Sequence, residues 1–103
     1  VTVTRKDLQS GTQLVQSAHS LAEFAHELPD HFHDWIVNSK YLISLSVDNE
    51  EHLKNLYDKL KSNGANVVAF TEPDINDQLT SICYYGTPEM RKLTEKLDLA
   101  LKC

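Results

Sequence analysis

The chain has 103 residues, 41% hydrophobic and 24% charged, which is the size and balance of one globular domain with a modest core and excludes a disordered or fibrous chain. No apolar run approaches the roughly 18–20 residues of a membrane-spanning helix, and no charged-then-apolar leader follows Val1. The formal charge of −5 argues against a nucleic-acid surface spread over the whole molecule, although a local basic patch would set its own field.

Residues 1–5 alternate, with Val1 and Val3 on one face and Thr2 and Thr4 on the other, and predict a strand. An Arg5-Lys6-Asp7 corner follows, and Gly11 breaks the chain before a helix over 11–28. In that helix Leu14, Ala18, Leu21, Ala22, Ala25 and Leu28 recur at three- and four-residue steps and are expected to face the core. Pro29-Asp30 ends it. His31 to Ser39 reads as an irregular connection in which Trp35 plugs one end of the core.

Tyr41 to Val47 is an apolar run suited to a strand covered on both faces. Asp48 is the expected N-cap of the next helix, with Glu51 completing a capping box. Leu53, Leu56 and Leu60 are its buried stripe, and Asn63-Gly64 its stop. Asn66 to Thr71 is a third strand, residues 72–78 a polar loop, and Leu79 to Tyr85 a fourth strand. Thr87-Pro88 starts a last helix lined by Leu93, Leu97 and Leu101. The expected fold is a single α/β domain over 1–103 in three layers, a four-stranded mixed sheet with helices on both faces in the order β-α-β-α-β-β-α. The first two crossovers imply parallel strands, and the short last link implies antiparallel neighbours.

Two cysteines are present, Cys83 in an apolar run and Cys103 at the end. Neither belongs to a CxxC pair, so a reducing cytoplasm is the expected setting and Cys83 is expected to be a core thiol. His31, His33 and Asp34 have the residue types of a metal cluster, but three-ligand sites usually draw on more than one segment. No metal and no cofactor are expected. There is no nucleophile elbow and no Gly-rich phosphate loop.

Thr12, Gln16, His19, Glu23 and His26 form a polar stripe along the first helix. Gln16 and His19, three residues apart, put an amide and an imidazole side by side. They lie close to the end of the first strand, where open α/β sheets bind ligands. The first turn of the helix, at Gly11 and Thr12, offers backbone N–H groups to an anion or a developing oxyanion. Glu72 and Asp74 flank a rigid Pro at the end of the third strand, and Thr80 lies just beyond the loop. Arg5 and Lys6 adjoin this site and are the basic group expected to touch phosphate. Lys40 lies near them, whereas Arg91, Lys92 and Lys96 belong to the last helix.

These residues resemble the archaeal and eukaryotic type of peptidyl-tRNA hydrolase. Arg5, Asp7 and Leu8 match that family's Arg-x-Asp-Leu corner. Gly11, Gln16 and His19 match its Gly-led helix with Gln-x-x-His-Ala, Ser20 standing for Ala. A Trp in the first long connection and a Gly-ended second helix are also similar, and the likeness spans almost the whole chain. Glu72 and Asp74 lie near the position of the family's catalytic Asp, and Thr80 near its site Thr. Thr12 stands where the family usually has Lys, and both the first loop and the acidic loop are shorter. The resemblance implies metal-independent hydrolysis of the ester between a peptidyl or N-blocked aminoacyl group and tRNA. His19, Glu72, Asp74 and Thr80 would be the catalytic set, with His19 or the acidic pair activating water. Arg5, Lys6, Gly11, Thr12 and Gln16 would bind substrate. The implied partner is peptidyl-tRNA or tRNA, with no membrane, and self-association as a homodimer is left open. Thr12 and the acidic balance motivate an alternative, a catalytically impaired tRNA- or protein-binding module on the same fold. A third reading is an unrelated small-molecule enzyme in the same pocket, since fold does not fix function.

Overall fold

The computed structural model describes residues 1–101. Hydroxyl and apolar side chains alternate along the strands, and that alternation determines how the layers pack. The strands are β1 (Thr2–Arg5), β2 (Ser44–Val47), β3 (Val67–Glu72), β4 (Gln78–Tyr84) and β5 (Asp98–Leu99). They form one mixed sheet in the order β3-β4-β1-β2-β5. β1 and β2 are parallel, β4 runs antiparallel to both β1 and β3, and β5 runs antiparallel to β2. The parallel crossovers and the antiparallel last pair follow the expected pattern.

The sheet has five strands, not four. The fifth arises because the last helix is much shorter than the Leu93-Leu97-Leu101 spacing suggests. Thr87 does cap it, its hydroxyl accepting from the Met90 amide at 3.3 Å, but the α-helix α4 covers only Pro88–Arg91. A 3₁₀ turn follows at Lys92–Thr94, and the chain then extends along β2. Leu99 and Leu101 end up exposed. Cys103 lies outside the described residues.

One face of the sheet is apolar. Val3, Leu45, Val47, Val67, Ile82 and Tyr84 pack with Leu53, Leu56 and Leu60 of helix α3 (Glu50–Ser62). Leu53 and Leu60 are completely buried, each contributing about 1.5–3 kcal/mol from area removed from water. The N-cap of α3 is Asn49, one residue later than expected. Its Oδ1 accepts from the His52 amide at 2.9 Å, while His52 Nδ1 accepts from the Asp48 amide at 3.2 Å. Asn and His thus perform the reciprocal capping expected of Asp48 and Glu51. At the other end Gly64 adopts a left-handed φ of 83°. The Ala65 amide reaches Leu60 O at 3.0 Å, closing the helix as expected.

The opposite face is largely hydroxyl. Thr2, Thr4, Ser46, Thr80 and Ser81 are buried there, under helix α1 (Ser10–Glu27). Consecutive strand residues point to opposite faces, so Val67 joins the α3 layer while Val68 packs with Phe24 of α1. A polar sheet face must be hydrogen-bonded when covered: Thr2, Thr4 and Ser46 find partners within the sheet, and Thr80 and Ser81 bond Gln16 of α1, which holds a polar side of the helix inward. Its buried residues are Gln13, Gln16, Ser17, Ser20 and Phe24. The expected Leu14-Ala18-Ala22 stripe is therefore not the core face; Leu14 is 59% and Val15 51% exposed. The lower part of that stripe, Leu21 and Leu28, packs against the Phe24, Val68 and Cys83 cluster, beside Phe32 of a second helix.

That helix, α2 (Pro29–Asn38), replaces the expected irregular connection. Pro29 ends one helix and opens the next, because a first-turn Pro sacrifices no hydrogen bond. β2 correspondingly begins at Ser44 rather than Tyr41. No helix of the described residues is long and apolar enough to cross a membrane.

The Ser17 hydroxyl is buried under α1 without a hydrogen-bond partner among the described residues. Ser17→Ala removes that unpaired group and improves helix propensity. The expected result is a gain of about 1 kcal/mol in urea unfolding; a loss of stability would show that the hydroxyl is satisfied in solution.

Candidate functional site

The site grows out of an irregularity in β4. Ser81 pairs with Phe70 and Leu79 with Thr71, so Thr80 is an extra residue in the ladder. Such a bulge re-aims a side chain and frees backbone groups. Side chains from two other segments, β1 and α3, take up the freed groups. The Glu50 carboxylate accepts from the Leu79 amide at 2.8 Å, Arg5 Nη1 donates to Leu79 O at 3.1 Å, and Thr4 Oγ1 donates to Thr80 O at 2.8 Å. The bulge is thereby fixed, and it turns Thr80 toward α1.

From Thr80 a directed chain of hydrogen bonds runs outward. The Thr80 hydroxyl donates to Gln16 Oε1 at 2.5 Å. Gln16 Nε2 then donates to Glu72 Oε1 at 2.9 Å, and Glu72 Oε2 accepts from the Asp74 amide at 3.4 Å. Ser81 Oγ donates to Gln16 O at 2.5 Å, pinning the helix backbone as well. An ionised carboxylate only accepts, so the order of donors favours Glu72 as an oriented carboxylate. Thr80 is wholly buried and Gln16 nearly so, whereas Glu72 is half-exposed. Thr80 and Gln16 are therefore placed beneath Glu72, with Gln16 holding its carboxylate.

His19 is exposed, one turn beyond Gln16. Its ring lies flat on Phe70 of β3, with centroids 4.4 Å apart and planes 2° from parallel. Gln16 and His19 thus both reach the end of β3, and the polar stripe divides between a buried amide and an exposed imidazole. Asp74 is exposed in the 3₁₀ turn Pro73–Ile75. Gly11 does not precede the helix, which begins at Ser10; it is exposed in the first turn. The first helical amide bond is Gln13 N–H to Gln9 O, which leaves the amides of Gly11 and Thr12 without a helical acceptor.

Arg5 and Lys6 are engaged elsewhere. Arg5 is 7% exposed. Its Nε and Nη2 grip Asp7 in a fork, both at 2.9 Å, and Nη1 also reaches Gln78 Oε1 at 2.9 Å. The guanidinium holds the Asp7 carboxyl below its usual range, chiefly by hydrogen bonding. Lys6 Nζ lies 2.8 Å from Asp98 and 3.6 Å from Asp48, and these carboxylates, Asp98 first, raise its pKa. Lys40 and Arg91 lie outside this group.

Cys83 is buried on the α1 face, and burial pushes its thiol from the ordinary 9.0 up to about 11. It is a core residue and not a nucleophile at neutral pH. A raised folded pKa means that stability is complete below the unfolded value and is lost as pH climbs through the folded one. Unfolding free energy is expected to fall between about pH 9 and pH 11 by about 3 kcal/mol, and Cys83→Ala should flatten that slope. An unchanged slope in the variant would place the titration on another group.

His31, His33 and Asp34 sit on α2 rather than in a loop. Asp34 Oδ1 accepts from Asn38 at 2.8 Å and Oδ2 accepts from the Tyr85 hydroxyl. No group of three or more His, Cys, Asp or Glu is placed to hold a metal ion among the described residues. The bulge at Thr80 and the supporting roles of Glu50 and Gln78 had no distinct sequence signal. No protein-family model matches the chain, and no curated protein is significantly similar to it.

Proposed function

We propose that the chain is a small, metal-independent cytoplasmic hydrolase that cleaves the ester between a peptidyl or N-blocked aminoacyl group and tRNA. One observation carries the reading. The Thr80–Gln16–Glu72 chain joins residues from β4, α1 and β3, and these are the residues on which the sequence resembles the peptidyl-tRNA hydrolases. Glu72, held on both oxygens by donors, takes a proton from water as that water attacks the ester carbonyl carbon. The negative charge that develops on the carbonyl oxygen meets the free amides of Gly11 and Thr12 at the head of α1. The C–O bond to the ribose then breaks. The proton that Glu72 took is delivered to the leaving oxygen by way of the His19 ring, which Phe70 keeps at the site, and Glu72 is left as a carboxylate again. The products are the free acid and the tRNA 3′ end. Asp74 contributes its backbone amide to Glu72, and Thr80 acts through Gln16.

The test is release of the acyl group from an N-blocked aminoacyl-tRNA, compared with the same tRNA carrying a free α-amino group. Preferential release from the blocked substrate supports the reading, and equal release from both argues for a general esterase.

The engagement of Arg5 and Lys6 by carboxylates favours a second reading, a protein-binding module without turnover. tRNA affinity measured at two salt concentrations separates the readings. Phosphate recognition weakens steeply as salt rises because each contact releases counterions, whereas a protein-binding module shows no tRNA affinity at either concentration.

A further inference from the structure

At the other end of β4, some six residues or roughly 20 Å from Glu72, α2 arches over the sheet without burying any residue completely. It leaves a cavity of about 310 Å³, within the range of small-ligand sites. Phe24 and Cys83 close its inner side. Phe32 and Trp35 form one wall, their rings tilted by 52° with centroids 5.5 Å apart. Tyr85 stands in another, anchored by its hydroxyl to Asp34 and braced by the His31 ring at 5.4 Å. Trp35 Nε1 donates to Tyr41 O at 2.8 Å, which ties the rim to the wall.

Arg91 also borders this space. A Cβ on Gly86 would meet Val1 Cγ2 at 3.0 Å and would lie in ordinary contact with the Arg91 Cγ and Cδ at 3.4 and 3.5 Å, so the arginine stem runs along the rim beside this glycine. Among the described residues no hydrogen bond or ion pair engages the exposed Arg91 guanidinium. An aromatic-walled space with the Arg91 guanidinium at its edge suits a ligand with an apolar ring and a carboxylate, because Arg binds a carboxylate through two parallel hydrogen bonds.

We infer that this cavity is a second binding site, for a small aromatic monocarboxylate whose ring lies among Phe32, Trp35 and Tyr85 and whose carboxylate pairs with Arg91. The site is independent of the hydrolase reading and stands or falls without it.

Trp35 is the chain's one tryptophan, so its emission reports on this wall directly. Titration with 3-phenylpropionate and with its neutral amide is the test. The acid is expected to give a saturable change and to bind about tenfold more tightly than the amide. Arg91→Gln, at an exposed position, should abolish that preference while leaving amide affinity unchanged, and a thermal melt checks its folding. No saturable change with either ligand would overturn the site. Equal affinity for acid and amide, or equal weakening of both in Arg91→Gln, would overturn its selectivity for the anion.

Discussion

Glu72→Gln is expected to lower kcat on N-blocked aminoacyl-tRNA by about 10²–10⁴-fold, the usual worth of a positioned general base, with little change in KM or melting temperature. The amide keeps the shape of the carboxylate, and its one oxygen can still accept from Gln16, while its NH2 takes the place of the oxygen that the Asp74 amide reaches at 3.4 Å. What it loses is the ability to take a proton. Thr80→Val removes the hydroxyl that orients Gln16 and should lower kcat by a smaller factor, which Thr80→Ser restores. A structural role for this chain of hydrogen bonds predicts the opposite pattern, a large loss of stability with kcat per folded molecule unchanged. Steady-state kinetics beside a thermal melt separates the two.

Arg5→Met should be the most destabilising single change on the α1 side of the sheet, costing about 3–5 kcal/mol. The guanidinium is buried, and its loss leaves the buried bulge carbonyl of Leu79 without its donor while removing the partner of Gln78 Oε1 and of the part-exposed Asp7 at once. A small domain is stable by only about 5–15 kcal/mol, so the variant should be largely unfolded in urea concentrations that the wild type tolerates. Asp7→Asn should cost less, because Asp7 is partly exposed and solvent screens its share. The pH dependence has a definite sign. Arg5 depresses the Asp7 pKa in the folded state, so the stability from this pair is present above the ordinary carboxylate pKa and is lost as pH falls through the depressed one. Asp7→Asn should remove that acid-side slope. A cost for Arg5→Met below about 1 kcal/mol, the range of an exposed pair, would show that Arg5 does not secure the bulge.

Much of the architecture is legible in the chain because it is written in strong periodicities. Leu53, Leu56 and Leu60 give α3 its face, Gly64 gives it its end, and Val1-Thr2-Val3-Thr4 gives β1 its alternation. The error in α1 has a physical lesson. Its longest apolar stripe reads as the core side, but the sheet face it covers is built from Thr2, Thr4, Ser46, Thr80 and Ser81. Hydroxyls removed from water need partners more than they need apolar cover; Thr80 and Ser81 take theirs from Gln16, so this side of α1 turns inward and Leu14 and Val15 turn out. The hydroxyl half of the strand alternation carried that information, once it is read as the complement of a polar helix face.

The grouping of Gln16, Thr80 and Glu72 was legible in the sequence, and their unequal burial was not. Gln16, Thr80 and Glu72 come together, yet two of them are buried supports. That distinction depends on a one-residue bulge opposite Phe70, which leaves no pattern in a strand of alternating residues. Arg5 has the residue type of a phosphate contact and the surroundings of a structural ion pair, a difference set by Gln78 and Leu79 far along the chain. The fifth strand escaped because Leu93, Leu97 and Leu101 repeat at a helical interval that only the short helix at Pro88–Arg91 interrupts.

The central claim is that the Glu72 carboxylate, held by Gln16 and Thr80, hydrolyses the acyl ester of tRNA. It is tested most directly by counting acyl groups released from N-blocked aminoacyl-tRNA per protein molecule, with wild type and Glu72→Gln in parallel. The account predicts many turnovers by the wild type and release near the uncatalysed rate in the variant. Folded wild type that releases nothing above that rate, or a Glu72→Gln chain as active as the wild type, would contradict it.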